Sequence, residues 1–264
     1  MDTLLIVKIG GNIIDDEQKL SAFLDLFAKV SRQNSTVLIH GGGKLATRLA
    51  QDMGVQQQLI DGRRITDAET LKIVTMVYAG YINKNIVAGL QSRGCNAVGL
   101  TGADGNALLA HKRPLKNNID YGFVGDVDLV HAAFLNGLLS SGHTIVLAPI
   151  THNGEGQLLN TNADTIAQET AKALSVFYNV SLVYSFEKAG VLLDANDDAT
   201  VIPEITPAAF RELKEGNKIF AGMIPKLENA FAALDNGVKK VIIGKAEELE
   251  RLVAGTSGTT IVND

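Results

Sequence analysis

The stretch LLIVKIGGN, residues 4–12, begins as an apolar strand and ends in two glycines with a lysine just ahead of them. A short apolar run that ends at a glycine turn is typical of a strand buried inside a sheet. Lys8 stands at the end of that strand, where an isolated buried ammonium group would cost several kcal/mol unless an anion meets it. The stretch therefore predicts a buried strand with a negatively charged group at its carboxyl end.

Apolar runs of the same kind recur along the chain and alternate with helical patterns. They fall at residues 4–7, 36–39, 97–100, 144–149, 181–184 and 240–243. This alternation is typical of βαβ units and predicts an α/β fold with a mainly parallel sheet covered on both faces. A chain of 264 residues with 46% hydrophobic residues is long enough for one continuous α/β domain with two lobes, which we place at residues 1–175 and 176–264.

Residues 67–91 form one long helical pattern, which we expect to break near Gly80. The apolar positions of this pattern lie on one side of the helix: Leu71, Val74, Val77 and Tyr78. Such a face can pack on the sheet or on a second subunit, and the spacing leaves both possibilities open.

Charge and composition exclude several classes of protein. A formal net charge of −5 argues against binding to nucleic acid or to an anionic membrane. Cys95 is the only cysteine, which excludes disulfide frameworks and cysteine-rich metal sites within one chain. The first strand begins by Leu4 and no apolar run approaches the ~20 residues of a membrane span, so we expect a cytoplasmic protein.

A second glycine-rich turn lies in LIHGGGKLATRLA, residues 38–50. Glycines at a strand-to-helix turn let an anion approach the N–H groups of the helix N-terminus, although the same turn can be a simple tight connection. The chain has neither GxxxxGK[ST] nor GxGxxG, which disfavours a P-loop and a classical dinucleotide site. HGGG also resembles the oxyanion loop of esterases, but a GxSxG nucleophile elbow is absent from the sequence.

Two adjacent arginines occur in GRRIT, residues 62–66. In a strand, Arg63 and Arg64 point to opposite faces, so at most one of them faces a given pocket. A guanidinium group can bind a carboxylate through two hydrogen bonds. The alternative is a pair of solvated side chains.

Three polar residues lie close together in LLNTNADTIAQETAKAL, residues 158–174. Asn160 and Asn162 fall where a strand gives way to a helix, and Asp164 falls in the first helical turn. Asp164 alone could be an ordinary cap, but the three residues together favour a binding edge.

A second lysine occupies a comparable position in AGMIPKLENAFAALDNG, residues 221–237. Pro225 suits an early helical position, which places Lys226 in the first turn. A lysine there opposes the helix dipole unless an anion binds beside it. The alternative is a surface lysine whose stem lies along the helix.

Taken in chain order, these motifs resemble those of the amino acid kinase family. The motifs are KIGG at 8–11, HGGG at 40–43, GRRIT at 62–66, NTNAD at 160–164 and GMIPK at 222–226. The similarity extends over almost the whole chain, and the ordered set is more specific than any one motif. Within the family, the pattern is most similar to the members that phosphorylate N-acetylglutamate in arginine biosynthesis.

The resemblance implies a three-layer αβα sandwich with a mainly parallel sheet of about eight strands. It implies that the N-terminal lobe binds an N-acylglutamate and that the C-terminal lobe binds ATP, with Mg²⁺ carried by the nucleotide and no protein metal ligands. The catalytic residues by motif match are Lys8, Lys226 and Asp164. The substrate-binding residues are Gly41, Gly42, Gly43, Arg64, Asn160 and Asn162. The nucleotide-binding residues are Gly10, Gly11, Glu187 and Gly222.

The resemblance leaves several alternatives open. The acyl group can be acetyl or succinyl, and Arg63 could face the extra carboxylate of a succinyl group. A sister kinase acting on carbamate, aspartate, glutamate or UMP shares the lysine and glycine framework. A noncatalytic metabolite-binding module is a further possibility, because SFEKAGV, residues 185–191, puts Phe186 where the family usually has a small hydroxyl residue and Glu187 where it usually has aspartate.

Arginine-inhibited members of the family carry a helix before the first strand that links dimers into hexamers. Only three residues precede Leu4 here. We therefore expect a homodimer that is insensitive to arginine.

Overall fold

The computed structural model describes residues 1–60, 63–115, 118–194, 196–216, 218–219 and 223–263. Its strands are β1 (Thr3–Ile9), β2 (Ser35–His40), β3 (Leu59–Ile60), β4 (Arg63–Arg64), β5 (Ala97–Leu100), β6 (Leu108–Lys112), β7 (Val124–Val130), β8 (Thr144–Leu147), β9 (Ile150–His152), β10 (Leu158–Thr161), β11 (Asn179–Phe186), β12 (Glu204–Ile205), β13 (Lys240–Lys245) and β14 (Thr259–Ile261). Its α-helices are α1 (Gly11–Ile14), α2 (Glu17–Ser31), α3 (Gly43–Asp52), α4 (Ala68–Thr75), α5 (Asn83–Gln91), α6 (Ala132–Ser140), α7 (Ala163–Leu174), α8 (Pro207–Glu215), α9 (Ile224–Asp235) and α10 (Leu249–Val253).

The described strands form a central sheet of eight, in the order β12, β14, β13, β11, β1, β2, β8, β5. Only the β13–β14 pair in this sheet is antiparallel. Buried side chains form one apolar core on each face of the sheet, and helices cover both faces. The predicted αβα sandwich with a mainly parallel sheet is confirmed, and the six predicted strand runs correspond to β1, β2, β5, β8, β11 and β13.

Strand β1 lies in the middle of the sheet, between β2 and β11. Strands up to residue 147 extend the sheet outward on the β2 side, and strands from residue 179 onward extend it on the β11 side. A crevice forms at the carboxyl ends of the strands where the order of an open α/β sheet reverses in this way, and ligands bind there. Lys8 stands at that place, in register with Ile39 of β2 and Tyr184 of β11.

The alternation of side chains along β1 decides which way Lys8 points. Leu4 and Ile6 pack into the core that contains α7, whereas Leu5 and Val7 pack into the core that contains α2. Because side chains alternate along a strand, Lys8 shares the face of Leu4 and Ile6 and points toward α7.

The predicted break near Gly80 is wrong. Helices α4 and α5 are joined without interruption by a π-helical segment, Met76–Ile82, and the backbone keeps helical angles at both joins. A π-helical segment accommodates an extra residue by bonding to the fifth residue along, so the glycine widens the helix instead of ending it.

The apolar face of this long helix packs inside its own subunit. Its predicted members are all buried: Leu71, Val74, Val77 and Tyr78. On the outside, Met76 is 50% exposed and Tyr81 is 59% exposed. The helix therefore packs on the core and still presents two large apolar side chains outward.

A separate four-stranded closed sheet has the order β10, β7, β6, β9. Strand β10 leads directly into α7, so the NTNAD motif spans the junction of this small sheet with a helix of the main sandwich. In the part of the chain that the structure describes, no helix has the length and apolar character needed to cross a membrane.

Candidate active site

The anion that meets Lys8 is the carboxylate of Asp164. The Nζ atom of Lys8 lies 2.7 Å from Oδ1 of Asp164. The Lys8 side chain is 12% exposed and that of Asp164 is 41% exposed, so Lys8 is largely buried, while Asp164 lines a cavity. Asp164 is in the first turn of α7, where the helix dipole also favours a negative charge.

Lys226 approaches the same place from α9. Pro225 lies in the first turn of that helix, and the Nζ atom of Lys226 lies 3.9 Å from the centroid of the Phe186 ring. The Nζ atom of Lys8 lies 6.0 Å from the centroid of the same ring. Burial lowers the pKa of Lys226, the charge of Asp164 opposes that shift, and the charge of Lys8 adds to it. The two ammonium groups therefore converge on one location.

The glycine turn after β2 leaves a helix N-terminus open. Gly42 is the N-cap of α3 and has φ +146°, and a Cβ atom there would lie 2.2 Å from Cδ1 of Ile82. Only glycine fits this conformation and this space. With no side chain to cap it, α3 presents its first N–H groups and its positive dipole end to the cavity.

His40 fixes the start of that turn from inside the protein. It is fully buried, and its Nδ1 atom lies 2.9 Å from the carbonyl oxygen of Gly41, so Nδ1–H donates. Its Nε2 atom lies 3.2 Å from Nδ2 of Asn83 and accepts from it. Burial lowers the pKa of His40 to about 4, with the Gly41 hydrogen bond opposing and Lys84 adding to the shift. The imidazole is therefore neutral near pH 7.

Arg64 is held against the glycine turn by three acceptors. Its Nη2 atom donates to the carbonyl oxygen of Gly43 at 2.9 Å and to Oγ1 of Thr47 at 2.8 Å. Its Nη1 atom donates to Oε1 of Gln57. These bonds fix the guanidinium plane at the cavity wall.

The two asparagines of the NTNAD motif have different local partners. Asn160 donates from Nδ2 to Oγ1 of Thr66 at 3.0 Å. The Oδ1 atom of Asn162 accepts from the backbone N–H groups of Asp164 and Thr165 at 2.8 and 3.1 Å. Asn162, not Asp164, is therefore the cap of α7, which leaves the Asp164 carboxylate for Lys8.

Two cavities meet at this site. One, of about 560 Å³, is lined by all six predicted substrate-binding residues and by Asp164. The other, of about 610 Å³, is lined by Gly10, Gly11, Glu187 and Lys226. We call them the acceptor cavity and the donor cavity. Both are lined by Gly43 and Lys44, so the two cavities are neighbours.

Two residues named in the sequence analysis cannot be assigned to either cavity. Gly222, predicted to bind the nucleotide, lies outside the described residues. The side chain of Arg63 lies outside them as well.

Sequence reasoning missed three residues of the site. Lys44 lines both cavities, and its position in the first turn of α3 is the signal that identified Lys226 in α9. Arg113 lines the acceptor cavity with 14% of its side chain exposed and pairs with Asp126 at 2.5 Å, and no motif marks it. Phe186 was noted only as a departure from the family pattern.

The described residues bring together no group of three or more histidine, cysteine or acidic side chains that could hold a metal ion. The carboxylate of Asp164 is already paired with Lys8.

Comparisons with known proteins agree with this architecture. The model of the amino acid kinase family matches residues 3–245. The chain is 56% identical to the acetylglutamate kinase of Cytophaga hutchinsonii, over 99% of each chain, and 54% identical to that of Phocaeicola vulgatus, over 98% of each chain. A solved structure from Streptococcus mutans is similar with a TM-score of 0.76 and 27% identity, over 99% of each chain.

Proposed function

The chain belongs to the amino acid kinase family, and we propose that it transfers the γ-phosphoryl group of ATP to the γ-carboxylate of N-acetyl-L-glutamate. The product is N-acetyl-L-glutamyl 5-phosphate, an intermediate of arginine biosynthesis. The observation that carries this proposal is the convergence of Lys8 and Lys226 on the ring of Phe186, which lines the donor cavity, while the partner of Lys8, Asp164, lines the acceptor cavity.

The chemistry of the acceptor explains why the site needs cations and no general base. A γ-carboxylate is ionised at neutral pH and can attack phosphorus without losing a proton. The barrier comes instead from repulsion between two anions and from charge on the transferring group. In this proposal Lys8 of the N-terminal lobe and Lys226 of the C-terminal lobe contact that group from opposite lobes, and Asp164 orients both ammonium groups.

The acceptor cavity has the groups that an N-acylglutamate requires. The guanidinium group of Arg64 can bind the α-carboxylate, and Asn160 and Asn162 can contact the α-substituents. The N–H groups at Gly41, Gly42 and Gly43 can donate to carboxylate oxygens.

The donor cavity is assigned to ATP. We assign Gly10, Gly11 and Gly222 to the phosphates, because a residue without a side chain lets a phosphate approach the backbone closely, and we assign Glu187 to the nucleotide. Mg²⁺ bound to the phosphates supplies further neutralisation of their charge, and we expect phosphate and water oxygens to be its ligands.

Three further proposals concern the protein as a whole. We propose that residues 1–175 hold the acylated amino acid and residues 176–264 the nucleotide. We propose a homodimer, supported by the exposure of Met76 and Tyr81 on the long helix. We also propose a cytoplasmic location, where ATP and the substrates of amino-acid biosynthesis are found.

The test is a phosphorylation assay in which hydroxylamine traps the acyl phosphate. The panel is N-acetyl-L-glutamate, N-succinyl-L-glutamate, free glutamate, aspartate and carbamate. We expect N-acetyl-L-glutamate to exceed each of the others by more than tenfold in kcat/KM, equivalent to about 1.4 kcal/mol. A tenfold preference for the succinyl compound would show that the substrate carries a succinyl group instead of an acetyl group. An absence of turnover with every compound would refute the kinase proposal.

A further inference from the structure

The aromatic ring of Phe186 lies between the strand that carries it and the two lysines of the site. It is 3.9 Å from Nζ of Lys226 and 6.0 Å from Nζ of Lys8, measured to the ring centroid. The ring is itself supported by Tyr184, whose centroid is 6.2 Å away with an interplanar angle of 19°. Tyr184 is buried, so the support is part of the core.

The two lysines are held by different kinds of partner. Lys8 forms an ion pair of 2.7 Å with Asp164. Lys226 lies against the face of the Phe186 ring. The negative face of an aromatic ring attracts an ammonium group within about 6 Å, and more strongly where water is displaced. Desolvation and the charge of Lys8 oppose the positive charge of Lys226, whereas the charge of Asp164 and the face of the ring favour it.

We propose that Phe186 is a positioning residue that holds the Lys226 ammonium group at the place where the donor and acceptor cavities adjoin. A carboxylate in place of the Phe186 ring would pair with Lys226 and compete with a bound phosphate for its charge. A neutral ring orients the cation and leaves its charge available. That the phosphate belongs to ATP rests on the proposed function, whereas the contact between ring and ammonium group does not.

The contact can be measured without any enzyme activity. Lysines are converted to ¹³C-dimethyl-lysine, and the Lys226 signal is assigned with Lys226→Arg. A ring at 3.9 Å shifts the methyl resonance of Lys226 upfield. We expect that shift to disappear in Phe186→Leu and to persist in Phe186→Tyr. A resonance that is the same in wild type and Phe186→Leu would overturn the proposal.

Titration of the same resonance adds a second test. The ring stabilises the charged form, so Phe186→Leu should lower the pKa of residue 226 and Phe186→Tyr should restore it. Thermal melting verifies that each variant is folded, and Phe186→Met replaces Phe186→Leu if the latter does not fold. An unchanged titration in the folded aliphatic variant would count against the proposal.

Kinetics then connect the contact to phosphoryl transfer. We expect Phe186→Leu to lower kcat roughly two- to thirtyfold, the range that a cation–π contact provides, with the KM for N-acetyl-L-glutamate unchanged. Phe186→Tyr should recover most of kcat. Loss of the NMR shift with no change in kcat would overturn the positioning role. A wild-type protein inactive with N-acetyl-L-glutamate but with the NMR shift present would refute the proposed function and leave the ring contact intact.

Discussion

The acceptor and donor cavities share a wall but are built differently. In the acceptor cavity, Arg64 is fixed by hydrogen bonds to three acceptors, and Asn162 is fixed by the α7 N-terminus. The donor cavity is lined by glycines, by polar side chains and by four apolar side chains, and its cation Lys226 lies against an aromatic ring. The comparison shows that the acceptor side holds its polar groups through hydrogen bonds within the protein, whereas the cation of the donor side contacts an aromatic ring.

The largest expected effect tests whether both sides supply a catalytic cation. Lys8→Ala and Lys226→Ala should each lower kcat by about 10²–10³, because each removes a positioned donor to the transferring group. Steady-state kinetics with both substrates saturating measures this. Lys214→Ala is the matched control, because Lys214 also lies near an aromatic ring, that of Phe210, but lines neither cavity.

A near-normal kcat in either variant would contradict the convergence of the two lysines on one group. A loss confined to Lys8→Ala would place the chemistry on the acceptor side alone.

The next largest effect is a dependence of stability on pH that comes from His40, the buried histidine next to the acceptor cavity. The folded-state pKa of about 4 is below the usual 6.5, so the unfolded chain binds more protons between these values. The stability contributed by neutral His40 is therefore full above pH 6.5 and is lost as pH falls toward 4, by about 3 kcal/mol. Urea unfolding between pH 4 and 7 measures the slope.

We expect His40→Asn to flatten that slope. His111→Asn removes an exposed histidine and should leave the slope in place. An equal slope in wild type and His40→Asn would show that His40 is not the titrating group.

A smaller effect is expected on the KM for one substrate and not on the KM for the other. Arg64→Ala should raise the KM for N-acetyl-L-glutamate about 10- to 100-fold, since hydrogen bonds to charged groups contribute about 1.5–3 kcal/mol, and leave the KM for ATP unchanged. Arg48→Ala, in helix α3 at the edge of the site but lining neither cavity, is the control. A parallel rise in both KM values would mean that the two cavities are not independent.

The smallest expected effect is on the free energy of unfolding when either of two helix caps is removed. Asn162→Ala and Thr206→Ala each remove a side chain that accepts from first-turn N–H groups, of α7 and α8 respectively, and each should cost about 1 kcal/mol of unfolding free energy. Only Asn162→Ala should also lower activity, because α7 carries Asp164. Equal kinetics for the two variants would show that the cap of α7 has no role in the site.

The sequence predicted the parts of the site that depend on local pattern. The apolar run of β1 and its glycines predicted a buried strand that ends in a lysine. The face to which Lys8 points was known only from the two cores on which β1 packs. The need for an anion beside Lys8 could also be predicted from the local sequence. That Asp164 supplies this anion could not, because the pair forms only when α7 packs on β1, which joins residues far apart in the chain.

Features that depend on tertiary packing were not predictable in the same way. The approach of Lys226 to Phe186 requires α9 to be placed against the end of β11. The π-helical segment Met76–Ile82 stands where a break was predicted, and no local sequence pattern distinguishes the two outcomes. Arg113 enters the acceptor cavity from the small sheet, and its sequence context has no feature typical of a binding site.

The most direct test of the central claim is a crystal structure with a nonhydrolysable ATP analogue, Mg²⁺ and N-acetyl-L-glutamate bound together. The measured quantity is the distance from each lysine Nζ atom to the γ-phosphate oxygens. We predict that Lys8 and Lys226 both lie within about 2.7–3.2 Å of that one phosphate. A complex in which either ammonium group points away from the γ-phosphate, with no bridging contact, would contradict the account.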